Sequence, residues 1–104
     1  MDYYECNSFI SQVEQSFFGS GPYSESVIIK DLQARKTLDT IDSSRNEVSN
    51  KKRIYNKDFE TALDGILYVI RWAFDNRQND LDFKNRLIKC KNQLERLQDI
   101  VRTF

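Results

Sequence analysis

Few side chains in this sequence are suited to catalysis or to metal binding. The chain of 104 residues has no histidine, which is the commonest general base and the commonest metal ligand in proteins. Its two cysteines, Cys6 and Cys90, lie near opposite ends of the chain and do not form the closely spaced pairs of zinc or redox motifs. We therefore expect no enzyme activity, no catalytic residue, no cofactor and no metal site.

Both cysteines occupy apolar positions of helical patterns, where buried and reduced thiols are common. We do not expect a disulfide between them. If the first and last helices run antiparallel, Cys6 lies opposite a position eight residues beyond Cys90, and about 12 Å of helix separates the two thiols.

The densest basic cluster of the chain could contact phosphate groups. It comprises Lys51, Lys52 and Arg53, with Arg45 and Lys57 close by in the sequence. Phosphate contacts from lysine and arginine dominate the affinity of proteins for nucleic acids. The alternative is a solvated connector without a ligand, because the 16 basic residues of the chain are balanced by 16 acidic ones. Nucleic-acid binding through residues 45–57 and the basic start of the last helix is our second functional hypothesis.

The first quarter of the chain is acidic and aromatic, and it contains no lysine or arginine. Acidic groups steer the encounter with a basic surface, and tyrosines provide contact area at a low entropy cost. This segment could therefore bind a protein that has a basic surface. The alternative is that its tyrosines flank the core and that Asp2 and Glu5 only cap a helix. The residues selected for the partner site are Tyr3, Tyr4, Glu14, Phe18, Tyr23 and Glu25.

Apolar residues recur at helical spacing through most of the chain, whereas turn residues are scarce. With one proline and three glycines, the sequence lacks the regularly spaced turns of an all-β protein. A chain of this length can build one hydrophobic core, so we expect a single domain over residues 1–104. The predicted fold is an all-α, antiparallel bundle of about four helices, at approximately 3–18, 25–48, 57–75 and 81–103.

The stretch 59–74 is the most apolar of the chain and is predicted to be the central helix. Ile66 and Ile70 lie on one side of this helix, while Leu67 and Phe74 lie on much of the opposite side. We therefore expect other helices to cover it nearly all round.

The segment before the central helix allows two interpretations. A repeat of seven predicts a long and rather polar second helix over 25–48, whereas weak helix formers at 42–44 favour a break near 42 and a loop up to Asn56, the predicted cap of the central helix. The residues of this repeat are Val27, Ala34, Ile41, Val48 and Tyr55.

The last helix has the most regular pattern in the sequence, a coiled-coil-like seam of alternating four-residue and three-residue steps. This seam is expected to pack on the central helix within one chain, and the alternative is that it also pairs two subunits in a homodimer. Leu81, Ile88 and Ile100 lie off the seam and widen the apolar surface. The residues of the seam are Phe83, Leu87, Cys90, Leu94, Leu97, Val101 and Phe104.

The leading functional hypothesis is a non-enzymatic protein–protein interaction module, which acts as a small inhibitor, a neutralising protein or an adaptor. A small helical domain without reactive groups, but with segregated surface charge, is suited to recognition. No basic start followed by an apolar run marks a secretion signal, and the apolar stretch is shorter than the roughly 20 residues that span a bilayer. We therefore expect a cytoplasmic protein that does not insert into membranes.

Overall fold

The computed structural model describes all 104 residues and contains four helices and no strand. The helices are α1 (Tyr3–Phe17), α2 (Glu25–Ile41), α3 (Glu47–Asp75) and α4 (Leu81–Thr103). The prediction of an all-α bundle of four helices is therefore confirmed, and the bounds of α1 and α4 agree with it to within one residue. The bounds of α2 and α3 do not. None of the four helices combines the length and the apolar character that a membrane crossing requires.

The long helices α3 and α4 form an antiparallel hairpin, and α1 and α2 lie one after the other along it. Phe17, at the end of α1, packs edge-on against Phe59 in the middle of α3, and Asp39 of α2 reaches the first residues of α3. A cross-section through the bundle therefore contains three helices, which are α3, α4 and either α1 or α2. Its extents of 54 × 21 × 19 Å fit this arrangement, since the 29 residues of α3 alone span about 44 Å.

Helix α1 runs parallel to α4, which differs from the antiparallel relation assumed for the two cysteines. The Tyr3 hydroxyl donates a hydrogen bond to Asp80 at the start of α4 (2.8 Å), and Gln93 farther along α4 donates to the carbonyl of Phe17 (2.9 Å). Cys6 therefore lies near the first turns of α4 rather than near its end. Both thiols are free and buried, as expected.

The ends of α1 are fixed by local interactions that the sequence indicates. The carboxylate of Asp2 accepts a hydrogen bond from the backbone N–H of Glu5 (2.8 Å) and caps the helix. Gly19 takes the left-handed conformation (φ 60°) that closes a helix without strain when no Cβ is present. The chain then folds back on α1, and any side chain at Gly21 would collide with the carbonyls of Gln15 and Ser16.

The interpretation in which the second helix breaks near residue 42 is confirmed, whereas the helix predicted over 25–48 and the start of the third helix predicted at 57 are wrong. Helix α2 ends at Ile41, and α3 begins at Glu47, about ten residues before the predicted start, so Asn56 lies inside α3 and caps nothing. The cap of α3 comes from the preceding helix, because the Asp39 carboxylate accepts hydrogen bonds from the N–H groups of Glu47 (2.8 Å) and Val48 (3.0 Å).

The repeat of seven that predicted a longer second helix spans two different helices. Val48 and Tyr55 belong to α3, where Tyr55 is buried on the same face as Phe59. The residues of the repeat that do lie in α2 are exposed, and this helix buries only Ile28 and Leu32. Apolar residues do recur at every seventh position, but the turn at 42–46 reverses the chain between Ile41 and Val48, so they do not lie on one helix.

The core is continuous along the bundle, and α4 contributes the largest share. The prediction that the seam of α4 packs within one chain is confirmed, because six of its residues are buried and Phe104 packs against the core. Phe59 and Phe83 are the largest fully buried side chains. The buried apolar residues are Cys6, Ile10, Val13, Phe17, Ile28, Leu32, Tyr55, Phe59, Ile66, Val69, Ala73, Phe83, Leu87, Cys90, Leu94, Leu97 and Val101.

Helix α3 is not covered on all sides, in contrast to the prediction. Ile66 is fully buried and Ile70 is partly buried against the core, but Leu67, Tyr68 and Phe74 are exposed. Three helices at each level leave one side of α3 in contact with water. Where α1 does pack on α3, the ring of Phe9 rests on Gly65, and any larger residue at this position would meet that ring.

The α2 half of the bundle is held largely by polar contacts. The hydroxyl of Tyr55 donates to Asp31 (2.6 Å), and Arg35 joins Asp31 (2.9 Å) to Glu47 (2.8 Å) across the α2–α3 interface. Burial alone would raise the pKa of Asp31, but the hydrogen bonds from Tyr55 and Arg35 and the positive charge of Arg35 outweigh it and lower the pKa below its ordinary value.

Ile66→Ala should lower the free energy of unfolding by about 2 to 5 kcal/mol, because it leaves a cavity in the core. Leu67→Ala removes a side chain of the same size from the next residue, which is 44% exposed, and should cost less than about 1 kcal/mol. Urea denaturation of both variants measures the difference. Equal losses would contradict the assignment of the buried and exposed sides of α3.

Asp31→Asn should lower stability at neutral pH by about 1 to 2 kcal/mol, because it weakens the hydrogen bonds to Tyr55 and Arg35. A carboxylate whose pKa is lowered in the folded state stabilises the fold above its unfolded pKa, and this contribution is lost as the pH falls through the folded value. The difference from the natural chain should therefore shrink below about pH 4 in urea denaturation experiments. Asp64→Asn, at an exposed residue without an ion pair, is the control, and a difference that does not depend on pH would contradict the assignment.

Candidate functional site

An apolar groove lies where the end of α3 meets the start of α4. It has a volume of about 450 Å³, and no residue of α1 or α2 lines it. Phe74, Ile70 and Ala73 form its wall on α3, and Leu87 and Ile88 form its wall on α4. The turn residues Gln78 and Asn79 close one end. This groove therefore lies at the open side of the antiparallel hairpin.

The apolar rim of the groove is formed by large side chains that are more than half exposed. Phe74 is 83% exposed and Ile88 is 54% exposed. Leu67 lies one and two turns before Ile70 and Phe74 on the same side of α3, and Leu81 precedes Ile88 by two turns on α4. These residues extend the apolar surface along both helices. Contiguous apolar surface of this kind is typical of binding sites rather than of ordinary solvent-facing helices.

The charges beside the groove are positive and have no partner within the chain. Arg77 and Lys84 line the groove itself. Neither side chain forms a salt bridge or a side-chain hydrogen bond, whereas Arg35, Arg86 and Arg96 elsewhere on the surface all do. No acidic residue lines the groove. We call Phe74, Arg77, Lys84 and Ile88, with the groove between them, the hairpin-end site.

The structure gives the predicted acidic residues contacts within the chain. Glu14 forms a two-pronged ion pair with Arg86 of α4 (2.6 and 3.1 Å), and Arg86 also donates to Asn7 and Ser11. This hydrogen bond to Glu14 raises the pKa of Arg86. Both residues are partly buried and tie α1 to α4, so Glu14 has a structural role whether or not it contacts a partner.

Glu25 has a similar position at the start of α2. Its carboxylate accepts two hydrogen bonds from Arg96 of α4 (2.9 and 3.0 Å), and these bonds lower the pKa of Glu25. Glu14 and Glu25 therefore lie along one side of α4, each paired with an arginine, and the charge that they present to a partner is largely compensated.

The predicted aromatic residues are spread over the length of α1 and the loop after it. Tyr3 packs on Phe83 and donates to Asp80, and Phe18 is partly buried against the core. Tyr23 donates a hydrogen bond to Asp58 of α3 (2.7 Å), and this bond, with burial, raises the pKa of the Tyr23 hydroxyl. Tyr4 is 80% exposed and makes no hydrogen bond through its side chain. Of the four aromatic residues, only Tyr4 is presented entirely to solvent.

The basic cluster lies on the first turns of α3, and the prediction that it forms a connector between helices is wrong. Lys51 lies over the ring of Tyr55, 5.0 Å from its centre. Lys52 donates weakly to the carbonyl of Arg102 at the end of α4 (3.4 Å), and Arg53 and Lys57 form no salt bridge. Lys52, Arg53 and Lys57 share a shallow polar groove.

Arg45 is the only member of the basic cluster in the turn between α2 and α3. It is exposed and lies 3.6 Å from the carboxylate of Glu47. The basic residues at the start of α4 also differ in their contacts. Arg86 is paired with Glu14 and Lys91 with Glu95, whereas Lys84 and Lys89 are free. The basic residues selected from the sequence therefore do not form one continuous surface.

Both cysteine thiols are buried in the core. Burial raises the pKa of Cys90 to about 11, so this thiol is protonated and unreactive at neutral pH. Burial also raises the pKa of Cys6. No three acidic or thiol side chains converge in a way that could hold a metal ion.

No family model, no curated protein and no solved structure matches this chain. Its function is therefore inferred from its own surfaces, and sequence reasoning did not identify the hairpin-end site. A signal was present, since Phe74 and Ile88 are apolar residues outside the buried stripes of two helices joined by a short turn. The sequence pattern instead predicts that other helices cover Phe74, and the chain has no fifth helix to do so.

Proposed function

We propose that this protein is a non-enzymatic protein–protein interaction module that binds its partner at the hairpin-end site. The observation that supports this proposal is the exposure of Phe74 and Ile88 beside an apolar groove. Burying a large apolar side chain contributes about 1.5 to 3 kcal/mol, and a partner that covers both residues gains this free energy at a site already formed.

A partner would find at this site an exposed aromatic anchor beside an apolar groove. Aromatic residues at the centre of an interface are frequent hot spots, and Phe74 stands next to the groove without a covering side chain. The unpaired cations Arg77 and Lys84, which line the groove, would form part of the polar rim of such an interface. In this proposal the protein acts as an inhibitor, a neutralising protein or an adaptor, and it works in the cytoplasm, where its free thiols stay reduced.

A partner with a basic surface, bound at the acidic and aromatic first quarter of the chain, remains a less favoured form of this proposal. Tyr4 is available for such contact, but Glu14 and Glu25 are already paired with arginines. The homodimer that the last helix suggests would use Leu81 and Ile88, the exposed apolar residues of α4.

The second candidate function is nucleic-acid binding at the start of α3. It is favoured by Lys52, Arg53 and Lys57, which share a polar groove and lack carboxylate partners. Asp39 and Glu60 also line this groove and reduce its positive charge. Because two acidic residues partly neutralise the three basic ones, this groove is a weaker candidate for binding an anionic ligand. The lining of the hairpin-end site, by contrast, has basic residues and no acidic one.

Phe74→Ser should reduce the amount of partner captured from extracts of the native cells by at least about tenfold, because the loss of a hot spot exceeds 1.4 kcal/mol. Tyr4→Ser is the matched control, since Tyr4 is an aromatic residue of similar exposure at another surface. Quantitative mass spectrometry of the captured proteins measures the effect. Capture that survives Phe74→Ser would contradict this site, and capture lost only with Tyr4→Ser would assign binding to the first quarter of the chain.

The second candidate is tested by titration with single-stranded and duplex oligonucleotides at low salt. If it holds, Lys57→Glu should weaken binding and reduce its dependence on salt, because one phosphate contact is lost. Lys30→Glu, at an exposed and unpaired lysine of α2, is the control. Absence of binding at low salt would remove nucleic acid as the ligand.

A further inference from the structure

We infer that the hairpin-end site takes an amphipathic helix whose apolar stripe is flanked by acidic side chains. This inference rests on the proposed function and specifies the partner. It combines three observations, which are the shape of the groove, the sign and freedom of the charges around it, and the backbone conformation of Arg77.

The shape follows from the number of helices at this end of the molecule. Helices α1, α3 and α4 pack together there, and the groove between α3 and α4 is not lined by α1. Two antiparallel helices leave a furrow on each side of their contact, and α1 fills one of them. A helix laid in the other furrow would complete a four-helix arrangement with interaxial distances of about 8 to 10 Å.

The apolar surface has the length of a short helical segment. Leu67 and Phe74 are two turns apart on α3, and Leu81 and Ile88 are two turns apart on α4. Each strip therefore extends over about 10 to 11 Å. A helix of two to three turns, with apolar residues at i, i+3 or i+4, and i+7, would cover both strips.

The charges select an acidic partner. Arg77 and Lys84 carry no ion pair within the chain, and they are the only charged residues of the groove lining, which contains no carboxylate. Carboxylates on the partner helix would pair with cations that no internal acid neutralises.

The backbone of Arg77 adds an independent argument. Arg77 follows the end of α3 in the left-handed conformation (φ 52°), and Gln78 donates a backbone hydrogen bond to Ala73 across it (2.9 Å). Glycine is the residue that fits this position without strain, and a larger residue there costs free energy. The arginine places a cation in the groove lining at the expense of local stability, which is a pattern expected of functional sites.

A second copy of the chain fits these observations less well. A two-fold contact centred on the groove would bring Arg77 and Lys84 of one copy close to the same residues of the other. Like charges at an interface oppose association. A basic helix is disfavoured for the same reason.

The test uses three synthetic helical peptides that share one leucine stripe and differ only in the flanking residues, which are glutamate, glutamine or lysine. Binding to the isotope-labelled full chain is followed by NMR, with the amide signals of Phe74, Arg77, Lys84 and Ile88 as reporters. The glutamate peptide should bind at least about tenfold more tightly than the lysine peptide, and raising the salt concentration should reduce this preference.

Three variants separate the site from the fold. Phe74→Ser should weaken binding of the glutamate peptide at least about tenfold, while Tyr4→Ser leaves it unchanged. Arg77→Gly should also weaken the glutamate peptide, yet it should preserve or raise the melting temperature, because glycine relieves the left-handed strain. A residue with only a structural role would not lose binding while the fold becomes more stable.

The outcomes distinguish this inference from the proposed function. If the glutamine or lysine peptide binds as tightly as the glutamate peptide, the acidic partner is wrong and the site still binds helices. If no peptide shifts the reporter signals, or if the chain dimerises through this surface in light scattering and Phe74→Ser abolishes the dimer, the inference is overturned. The capture experiment with Phe74→Ser then decides the proposed function separately.

Discussion

The packing of the α4 seam against α3 is the contact on which the rest of the structure depends. Phe83, Leu87, Cys90, Leu94, Leu97 and Val101 form one buried line along α4, and α3 matches it with residues from Tyr55 to Ala73. Helices α1 and α2 contact this hairpin and hardly touch each other. Each of the two short helices is therefore stable only as part of a layer on the long hairpin, since neither could bury its apolar stripe alone.

The two short helices cover the hairpin by different means, and this difference decides where its surface stays open. Helix α1 brings four buried residues and a close contact between Phe9 and Gly65, while α2 brings two buried residues and the ion pairs around Asp31 and Arg35. At both levels the third helix covers one side of α3 and α4. The groove between α3 and α4 on the opposite side is polar near α2, where Lys52, Asn56 and Glu60 line it, and apolar near α1, at the end of the hairpin.

What could be predicted from the sequence depended on the distance over which each interaction acts. The seam of α4, the cap at Asp2 and the stop at Gly19 arise from residues within a turn or two of each other, and the periodicity indicates them directly. The start of α3 could not be predicted in this way, because its cap is Asp39, eight residues earlier and on another helix. The pairing of Glu14 with Arg86 depends on the parallel course of α1 and α4, and the exposure of Phe74 depends on how many helices share a level. The spacing of neighbouring residues predicts neither the relative direction of α1 and α4 nor the number of helices that pack side by side.

The order of the helices has a consequence for the chain as it is made. Translation produces α1 and α2 first, but both pack on a hairpin that is complete only when Thr103 has been added. The hairpin itself needs only a five-residue connection to close, whereas α1 must reach partners more than seventy residues away, such as Arg86 for Glu14. The apolar stripes of α1 and α2 in the nascent chain thus stay uncovered until α4 has left the ribosome and the hairpin can close.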